Sequence, residues 1–352
     1  MSTGDHPVTS SEPVLEIRDL TVEFHTEDGV VHAVTDVNYD LFPGEVLGIV
    51  GESGSGKSVS MLSVLGLIPQ PPGRVVEGSA MFKGEDLLRM PKKELRRIRG
   101  GEMAMIFQDP MTSLNPVLTI GDQISEAIKT HRPGTSGDAA RKRTIELLEI
   151  VGVPFPERRV QQYPHEFSGG MRQRAMIAMA IANDPTILVA DEPTTALDVT
   201  IQAQIVEVLK AAQEETHAAT LLITHDLGLI AELADRVVVM YAGRVVELGD
   251  VFTIFNSPRH PYTVGLMKSL ARLDADQEWL EPIPGQPPSL ITPPPGCAFH
   301  PRCVQSQGRA ICRTDVPELR ALGEGRDHLS ACHFAEELAA AQVHVGAGAG
   351  AP

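Results

Sequence analysis

A glycine-rich octapeptide, GESGSGKS at residues 51–58, has the clearest chemical meaning in this sequence. It fits the pattern GxxxxGK[ST], follows an apolar run at Val46–Val50 and opens a helical pattern at Ser58–Leu67. Backbone N–H groups of such a loop surround phosphates, its lysine reaches the β and γ phosphate oxygens, and its last hydroxyl suits Mg²⁺. A plain Gly/Ser-rich loop is the alternative, which the strand before the loop and the helix after it disfavour. The predicted nucleotide ligands are Gly51, Ser53, Gly54, Ser55, Gly56, Lys57 and Ser58.

Two consecutive acids, Asp191 and Glu192, follow a second apolar run at Ile187–Ala190. At the carboxyl end of a parallel strand beside a phosphate loop, a carboxylate can hold Mg²⁺ directly or through water. Asp191 is therefore the expected metal partner of Ser58. Glu192 would then face the attacking water and act as its general base. The alternative is that both acids are only the solvated end of a strand.

The tripeptide Ser168-Gly169-Gly170 precedes a helical pattern at Arg172–Ala182. The free N–H groups and the dipole of a helix N-terminus bind anions, and one phosphate loop already serves this chain's own nucleotide. The tripeptide is therefore a candidate for contacting the phosphate of a second nucleotide. An ordinary N-cap accounts for the same residues equally well.

The elements that must position these residues alternate between short β-branched runs and longer helical patterns, which predicts an α/β fold with a parallel sheet. The expected strands are Val14–Ile17, Val22–Phe24, Val46–Val50, Ile187–Ala190 and Thr220–Thr224, and further expected helices are Ile120–Thr130 and Thr200–Glu215. Seven prolines between Glu281 and His300 are incompatible with helices or interior strands, so we place a domain boundary near residue 262. The expected division is a disordered leader at 1–13, a main domain at 14–262, a smaller domain at 263–341 and a flexible tail at 342–352.

Composition and charge exclude several classes of protein. The 352 residues suffice for about two domains. With 30 Lys and Arg against 46 Asp and Glu, the net charge is −16, which disfavours a protein that wraps nucleic acid. No apolar run approaches the roughly 20 residues of a membrane-spanning helix, and the N-terminus lacks the regions of a signal peptide. We therefore expect a chain that is neither secreted nor membrane-spanning.

Five motifs taken together resemble those of the ATP-binding cassette (ABC) ATPases. In order they are GESGSGKS at 51–58, FSGGMRQR at 167–174, ILVADEP at 187–193, TTALD at 194–198 and LITHD at 222–226. The resemblance covers roughly residues 14–262 and implies that ATP and Mg²⁺ are bound. It also implies a parallel sheet core, an antiparallel β subdomain and a helical subdomain that carries the signature sequence. Phe167 and Met171 depart from the usual Leu and Gln of that signature, while its phosphate-facing residues are intact.

The resemblance assigns further roles by position. Residues 168–170 would close on the ATP held by a partner subunit, and Asp198 would lie in the loop that joins the two sites. His225 would contact the γ-phosphate, and Gln108 would sense Mg²⁺ and the attacking water. Phe24 stands where the family has an aromatic that stacks on adenine. Each lone residue also has an ordinary interpretation: His225 as a strand-end histidine, Gln108 as a surface amide and Phe24 as a core aromatic.

The resemblance also implies partners, because two ATP molecules join two cassettes in this family. We expect a second ABC ATPase, distinct from this chain as in relatives, two transmembrane permease subunits and an extracytoplasmic solute-binding protein. The chain would then lie at the cytoplasmic face of the cell membrane as a peripheral subunit. Residues 108–116, QDPMTSLNP, are the expected contact with the permease.

The four cysteines all lie in the smaller domain, with the spacing Cx5Cx8Cx19C. They are Cys297, Cys303, Cys312 and Cys332. Disulfides are disfavoured in a reducing cytosol. Structural zinc accepts four thiolates but usually shows a CxxC knuckle, which is missing here. An iron–sulfur cluster also takes four thiolates, although this spacing matches none of the common ferredoxin patterns. The spacing alone does not choose between the two metal sites.

Three segments of the smaller domain resemble the C-terminal extension of peptide and nickel importer ATPases. They are PRHPYT at 258–263, IPGQPP at 283–288 and GCAFHPRC at 296–303. In that group the extension carries a [4Fe-4S] cluster, so the resemblance favours iron–sulfur over zinc. It implies an ATP-hydrolysing subunit of a bacterial importer of di- or oligopeptides. The alternatives are import of nickel or opine-like solutes and, more remotely, a non-transport ABC ATPase.

Overall fold

The computed structural model describes residues 12–109, 113–195, 198–269, 282–306, 308–323 and 328–338. The expected tail at 342–352 and the expected leader, apart from residues 12 and 13, lie outside the described residues. The expected boundary near residue 262 falls inside a helix, Pro261–Lys268. The division into domains stays a prediction.

The described strands form two sheets. They are β1 (Leu15–Thr26), β2 (Gly29–Leu41), β3 (Val46–Val50), β4 (Gly73–Phe82), β5 (Glu85–Asp86), β6 (Met103–Ile106), β7 (Ile187–Asp191), β8 (Ala219–Ile223), β9 (Arg236–Tyr241), β10 (Arg244–Asp250), β11 (Arg320–Ala321) and β12 (Leu329–Ser330). The smaller sheet is antiparallel, in the order β2-β1-β4-β5. The larger has the order β11-β12-β10-β9-β3-β8-β7-β6 and is parallel from β9 to β6.

Strand β1 is continuous where the sequence predicted two separate strands. Leu15 and Ile17 are fully buried, and so are Leu20 and Val22, which interrupts the period of two. Asp19 lies at the interruption with a φ of 52°, and the register with β2 shifts there. A bulge of this kind changes which face the following residues present, so the apolar side chains on both sides of it reach the core.

Strand β3, which leads into the glycine-rich loop, is buried on both faces. Val46 and Val50 pack into a core cluster that contains the helices between β6 and β7. Leu47 and Ile49 pack into a second cluster, which contains the antiparallel sheet. Alternate residues of a strand point to opposite faces, so the large sheet is covered by a layer on each side. This explains why its parallel strands are almost continuously apolar in sequence.

The described helices lie between these strands along the chain. They are α1 (Lys57–Val64), α2 (Lys92–Ile98), α3 (Ile120–His131), α4 (Gly137–Ile150), α5 (Pro156–Arg159), α6 (Gly169–Ala180), α7 (Val199–Thr216), α8 (Leu227–Leu233), α9 (Val251–Asn256), α10 (Pro261–Lys268) and α11 (Ile311–Thr314). Thr119, Ser136 and Ser168 begin α3, α4 and α6, where each side-chain oxygen accepts a backbone N–H that has no partner within the helix. None of the described helices combines the length and the apolar character needed to cross a membrane.

The described residues after 281 pack against the β9–β10 side of the large sheet and also contact β2, where the carbonyl of Leu290 accepts the His32 N–H at 2.9 Å. Strand β12 pairs antiparallel with β10, so that Ser330 lies opposite Glu247. The rings of Tyr241, Tyr262 and Phe299 form a buried cluster with centroids 4.6 to 5.5 Å apart. Aromatic clusters of this kind bury a large apolar area and favour tilted contacts. The C-terminal segment is therefore joined to the main sheet by both strand pairing and apolar packing, and the predicted α/β fold is confirmed.

Candidate nucleotide site

The glycine-rich loop turns directly from β3 into α1, as the sequence predicted. Gly51 has a φ of 154°, and a Cβ at this position would lie 2.2 Å from the carbonyl oxygen of Met240. Gly56 has a φ of 97°, and its Cβ would lie 2.5 Å from the carbonyl oxygen of Ala33. Other residues cannot fit at either position without displacing backbone, so packing and backbone conformation both require glycine here.

Lys57 is the first residue of α1, and its side chain reaches back to the start of this loop. Its Nζ donates hydrogen bonds to the carbonyl oxygens of Gly51 at 2.7 Å and Glu52 at 3.1 Å. Burial lowers the pKa of Lys57, while the nearby carboxylates of Glu192, Asp191 and Glu52 act in the opposite direction. The loop is thus curled around the Lys57 ammonium. Phosphate oxygens can take the place of the two carbonyl oxygens as its hydrogen-bond acceptors.

Ser58 and Asp191 form a direct link between the loop and β7. The Ser58 hydroxyl donates to Asp191 Oδ1 at 2.7 Å, across 133 positions of sequence. Burial raises the pKa of Asp191, and the Ser58 hydrogen bond opposes that effect. A hydroxyl and a carboxylate are hard oxygen ligands, which suit Mg²⁺ when substrate phosphates and water complete its coordination. The pair therefore fits the predicted metal site, and the ion bound there would neutralise phosphate charge.

Glu192, the next residue, meets two of the other predicted catalytic side chains. Its Oε2 accepts hydrogen bonds from Gln108 Nε2 at 2.9 Å and from the Thr195 hydroxyl at 2.8 Å. Its Oε1 lies 3.4 Å from His225 Nδ1. The backbone of Glu192 has a φ of 47° and donates its N–H to the carbonyl of Ile223 at 2.7 Å. A non-glycine residue at positive φ is strained, and such strain recurs where a side chain must be aimed at a site.

The turn after Glu192 is held by two side chains to which sequence reasoning gave no role. Gln173, a buried residue of α6, donates to the carbonyl of Pro193 at 2.7 Å. Thr195, within the turn, donates its hydroxyl to the Glu192 carboxylate. Two features of the sequence could have indicated these contacts. Gln173 is a polar residue on the inward face of α6, and Thr195 carries a hydroxyl three positions after Glu192.

The tripeptide at 168–170 begins α6, as predicted. The Ser168 hydroxyl accepts the N–H of Met171 at 3.3 Å, so the residue is an N-cap. Ser168 and Gly169 are exposed, and a Cβ on Gly169 would meet nothing within 4 Å. Gly170 is buried, with Ile201 Cγ2 3.0 Å from the position of its missing Cβ. An accessible helix N-terminus is compatible with a second nucleotide, and that role stays a prediction.

Two further predicted contacts also stay predictions. Asp198 is the N-cap of α7, where its Oδ1 accepts the N–H of Ile201 at 3.0 Å. Phe24 is half-buried in β1 and packs on the core cluster of the antiparallel sheet, with its ring edge 3.0 Å from the position of a Cβ on Gly73. Part of the expected permease contact, 110–112, lies outside the described residues.

Two side chains remote in sequence, Tyr262 and Arg302, hold the second residue of the glycine-rich loop, Glu52. The Tyr262 hydroxyl accepts the Glu52 backbone N–H at 2.8 Å. The Arg302 guanidinium binds both oxygens of the Glu52 carboxylate, at 2.8 and 3.1 Å, and also donates to the Tyr241 hydroxyl at 3.3 Å. Sequence reasoning missed both contacts with Glu52, because no periodicity relates residues that are 210 and 250 positions apart.

The four cysteines, all free thiols, line one small cavity of about 70 Å³. They are Cys297, Cys303, Cys312 and Cys332. Burial raises the pKa of the Cys297 thiol to about 11 and that of Cys332 to about 12, and the neighbouring thiols add to both shifts. Among the described residues, no three His, Cys, Asp or Glu side chains are grouped so as to hold a metal ion. The four thiols therefore converge on one place.

Comparison with known proteins gives two family matches and close relatives. The family described as ABC transporter matches residues 34–195, and the oligopeptide/dipeptide transporter C-terminal region matches residues 246–312. The dipeptide transport ATP-binding protein DppD of Bacillus subtilis is 54% identical over 292 residues, which are 83% of this chain and 87% of that protein. The oligopeptide transport ATP-binding protein OppD of the same organism is 55% identical over 287 residues, covering 81% and 80% of the two chains.

A solved structure with the same fold is a dimeric ATP-binding cassette in a post-hydrolysis state with ADP and Pi. It is 28% identical to this chain, with a TM-score of 0.60, and the match covers 67% of this chain and 98% of that one. The two sequence relatives each match more than four fifths of this chain and at least four fifths of their own length. The chain therefore belongs to the ABC transporter family and, within it, to the ATP-binding proteins of oligopeptide and dipeptide transport.

Proposed function

We propose that this chain hydrolyses ATP to power the import of short peptides through partner permease subunits. The observation that carries the hydrolytic part is the position of Glu192. Its carboxylate is held by Gln108 and Thr195 immediately beside the Ser58–Asp191 pair, on the loop side of the large sheet. Phosphoryl transfer to water requires a base, ligands for a metal ion and a loop that binds phosphate. All three lie at one edge of the large sheet.

In the proposed reaction each group has one task. The loop N–H groups and Lys57 would bind the phosphates, and Ser58 and Asp191 would hold a Mg²⁺ ion that neutralises phosphate charge. Glu192 accepts a proton from the attacking water as the water oxygen bonds to the γ-phosphorus. The bond between that phosphorus and the bridging oxygen breaks, and ADP and inorganic phosphate leave. Gln108 and Thr195 fix the carboxylate for this step, and His225 stands at its other oxygen.

We further propose that two cassettes share each ATP. The exposed N-terminus of α6, with Ser168 and Gly169, would contact the phosphate held by the partner's loop, and Asp198 would lie between the two sites. Such contacts exist only while the γ-phosphate is present, so ATP binding closes the pair and hydrolysis releases it. The exposure of Ser168 and Gly169 supports this arrangement, because a surface that must reach a partner cannot be covered by its own chain.

The cargo assignment is supported by the C-terminal region and by the names of the relatives. The oligopeptide/dipeptide transporter C-terminal region matches this chain, and DppD and OppD are named for dipeptide and oligopeptide transport. We propose the same cargo class here, with a distinct second ATPase, two permease subunits and a solute-binding protein as partners. The chain would act as a peripheral subunit at the cytoplasmic face of the membrane.

Replacing Glu192 with Gln should remove the base and leave the phosphate contacts in place. We expect kcat for ATP hydrolysis to fall by about 10²- to 10⁴-fold, with ATP still bound and cassette pairs accumulating in its presence. Steady-state hydrolysis and size-exclusion chromatography with MgATP measure the two effects. Glu214→Gln, which changes an exposed glutamate of α7, is the matched control. Normal turnover by Glu192→Gln would contradict the role of Glu192.

Uptake by cells tests the cargo directly. Cells that carry wild type, Glu192→Gln or Glu214→Gln are supplied with a labelled dipeptide, a labelled tetrapeptide or nickel ion. We expect Glu192→Gln to abolish uptake of at least one peptide and to leave nickel uptake intact. Loss of nickel uptake alone would move the assignment to a metal importer, and persistence of all three would contradict transport of these solutes.

For the four cysteines we propose a [4Fe-4S] cluster, with structural zinc as the alternative. Both groups take four thiolates, and the four thiols that line one cavity suit either of them. The preference for the cluster rests on the resemblance of this extension to that of peptide importer ATPases.

Purified protein that was never exposed to air should contain about four iron and four acid-labile sulfide per chain and little zinc, by elemental and sulfide analysis. Cys303→Ser should lose most of the iron, because one ligand is removed, while Glu214→Gln keeps it. One zinc per chain without iron would establish the alternative. Neither metal in the air-free wild type would contradict both assignments.

A further inference from the structure

The salt bridge between Arg302 and Glu52 connects the cysteine-bearing extension to the phosphate loop. Arg302 immediately precedes Cys303, and Glu52 is the second residue of the loop octapeptide. The guanidinium binds both carboxylate oxygens, at 2.8 and 3.1 Å, which is the two-pronged geometry of strong arginine–carboxylate pairs. The hydrolytic reaction proposed above gives this pair no role.

Arg302 is held in place from several directions. Its side chain is only 6% exposed, against 26% for Glu52. Its Nε donates to the carbonyl of Pro284 at 2.9 Å, and Nη1 also donates to the Tyr241 hydroxyl at 3.3 Å. A guanidinium with this many partners is preorganised, so it loses little conformational freedom in binding the carboxylate.

The charge of Glu52 makes the pair important for nucleotide binding. Glu52 lies close enough to Lys57 to act on its pKa, and its carbonyl accepts a hydrogen bond from the Lys57 ammonium. An unpaired carboxylate at this place would repel the phosphates of ATP and weaken the positive field of the loop. Arg302 cancels that charge from the side of the extension, and Tyr262 fixes the Glu52 backbone.

We propose that Arg302 is a positioning residue for the nucleotide, which neutralises and orients Glu52 so that the extension completes the ATP site of the cassette. The proposal rests on the proposed ATP binding at this loop. It makes the extension part of the nucleotide site rather than an independent module. ATP affinity should therefore depend on a residue that lies outside every motif of the cassette.

A charge-rescue experiment on the full chain separates this role from a purely structural one. The probe is AMP-PNP with Mg²⁺, and its Kd is measured by titration calorimetry for Arg302→Met, Glu52→Gln and the double variant. We expect Arg302→Met to raise Kd about tenfold, because it leaves Glu52 partly buried and unpaired. Glu52→Gln should stay within about threefold of wild type, and the double variant should return to within about threefold, because the repelling charge is gone.

Two further variants complete the design. Arg320→Met removes a different ion pair of the extension, with Glu336, and should leave Kd within about twofold of wild type. Arg302→Lys keeps the charge without the two-pronged geometry and should raise Kd about threefold. In steady-state hydrolysis, Arg302→Met should raise KM for ATP about tenfold and change kcat by less than about threefold, since Arg302 does not touch the reacting atoms.

The outcomes distinguish this proposal from the proposed function. If wild type binds AMP-PNP and Arg302→Met binds it equally well, the role of Arg302 is wrong and the proposed function stands. If Arg302→Met loses affinity and the double variant does not recover, Arg302 acts only through the fold, which also overturns the proposal. If Arg302→Met does not fold, the Kd for AMP-PNP is measured for Arg302→Lys alone and combined with Glu52→Gln. The same comparison then decides the role of Arg302. A wild type that binds no nucleotide would overturn both proposals.

Discussion

The hydrogen bond between Ser58 and Asp191 is the constraint on which the rest of the site depends. It joins the first turn of α1 to the end of β7, and β8 lies between β3 and β7 in the sheet. The bond is therefore possible only if both strands end at the same edge of the sheet, which parallel pairing ensures. Any shift of β7 against β8 would separate the hydroxyl from the carboxylate.

The order of the strands then explains why the other side chains meet. Four neighbouring strands, β3, β8, β7 and β6, end at this edge. They are followed by the phosphate loop, His225, Glu192 and Gln108 respectively. His225 and Gln108 thus approach Glu192 from opposite neighbours, and each reaches a different carboxylate oxygen. Residues spread over more than 170 positions of sequence form one site because the sheet, rather than the chain, sets their order.

The extension adds a second set of constraints on the same loop. Tyr262 and Arg302 hold Glu52, and the ring of Phe299 packs against Tyr241 and Tyr262. The conformation of the loop therefore depends on both the sheet edge and the packing of the C-terminal segment. This also gives the cysteines a structural context, since Cys303 follows the arginine that pairs with the loop.

Much of this site could be predicted from sequence, because phosphate loops and strand-end acids are local patterns. To predict the loop, Asp191 and Glu192, it was enough to recognise an apolar strand before each of them. This prediction does not depend on the order of the strands in the sheet. Strands β9 and β10 were missed although Val237–Tyr241 is an apolar run, because no chemical motif follows either strand. The two-residue strands β11 and β12 are too short for any periodicity.

The contacts of Arg302 could not be predicted from sequence either, and here the reason is a different one. An arginine in a proline-rich segment pairs with whatever carboxylate the packing brings near it, and no local rule selects Glu52 among 46 acids. The bulge at Asp19 is similar, since it depends on how β1 pairs with both β2 and β4. Long-range packing decides both, and it leaves no trace in the spacing of neighbouring residues.

The most direct test of this account is the Mg²⁺ dependence of ATP hydrolysis in Ser58→Ala, Asp191→Asn and the double variant. If both residues hold one ion at the sheet edge, each single variant should raise the Mg²⁺ concentration for half-maximal activity by about tenfold or more. The double variant should need little more Mg²⁺ for half-maximal activity than the single variant with the higher requirement, because two ligands of one ion are not independent. Independent, multiplicative effects, or an unchanged Mg²⁺ requirement in either single variant, would contradict the account.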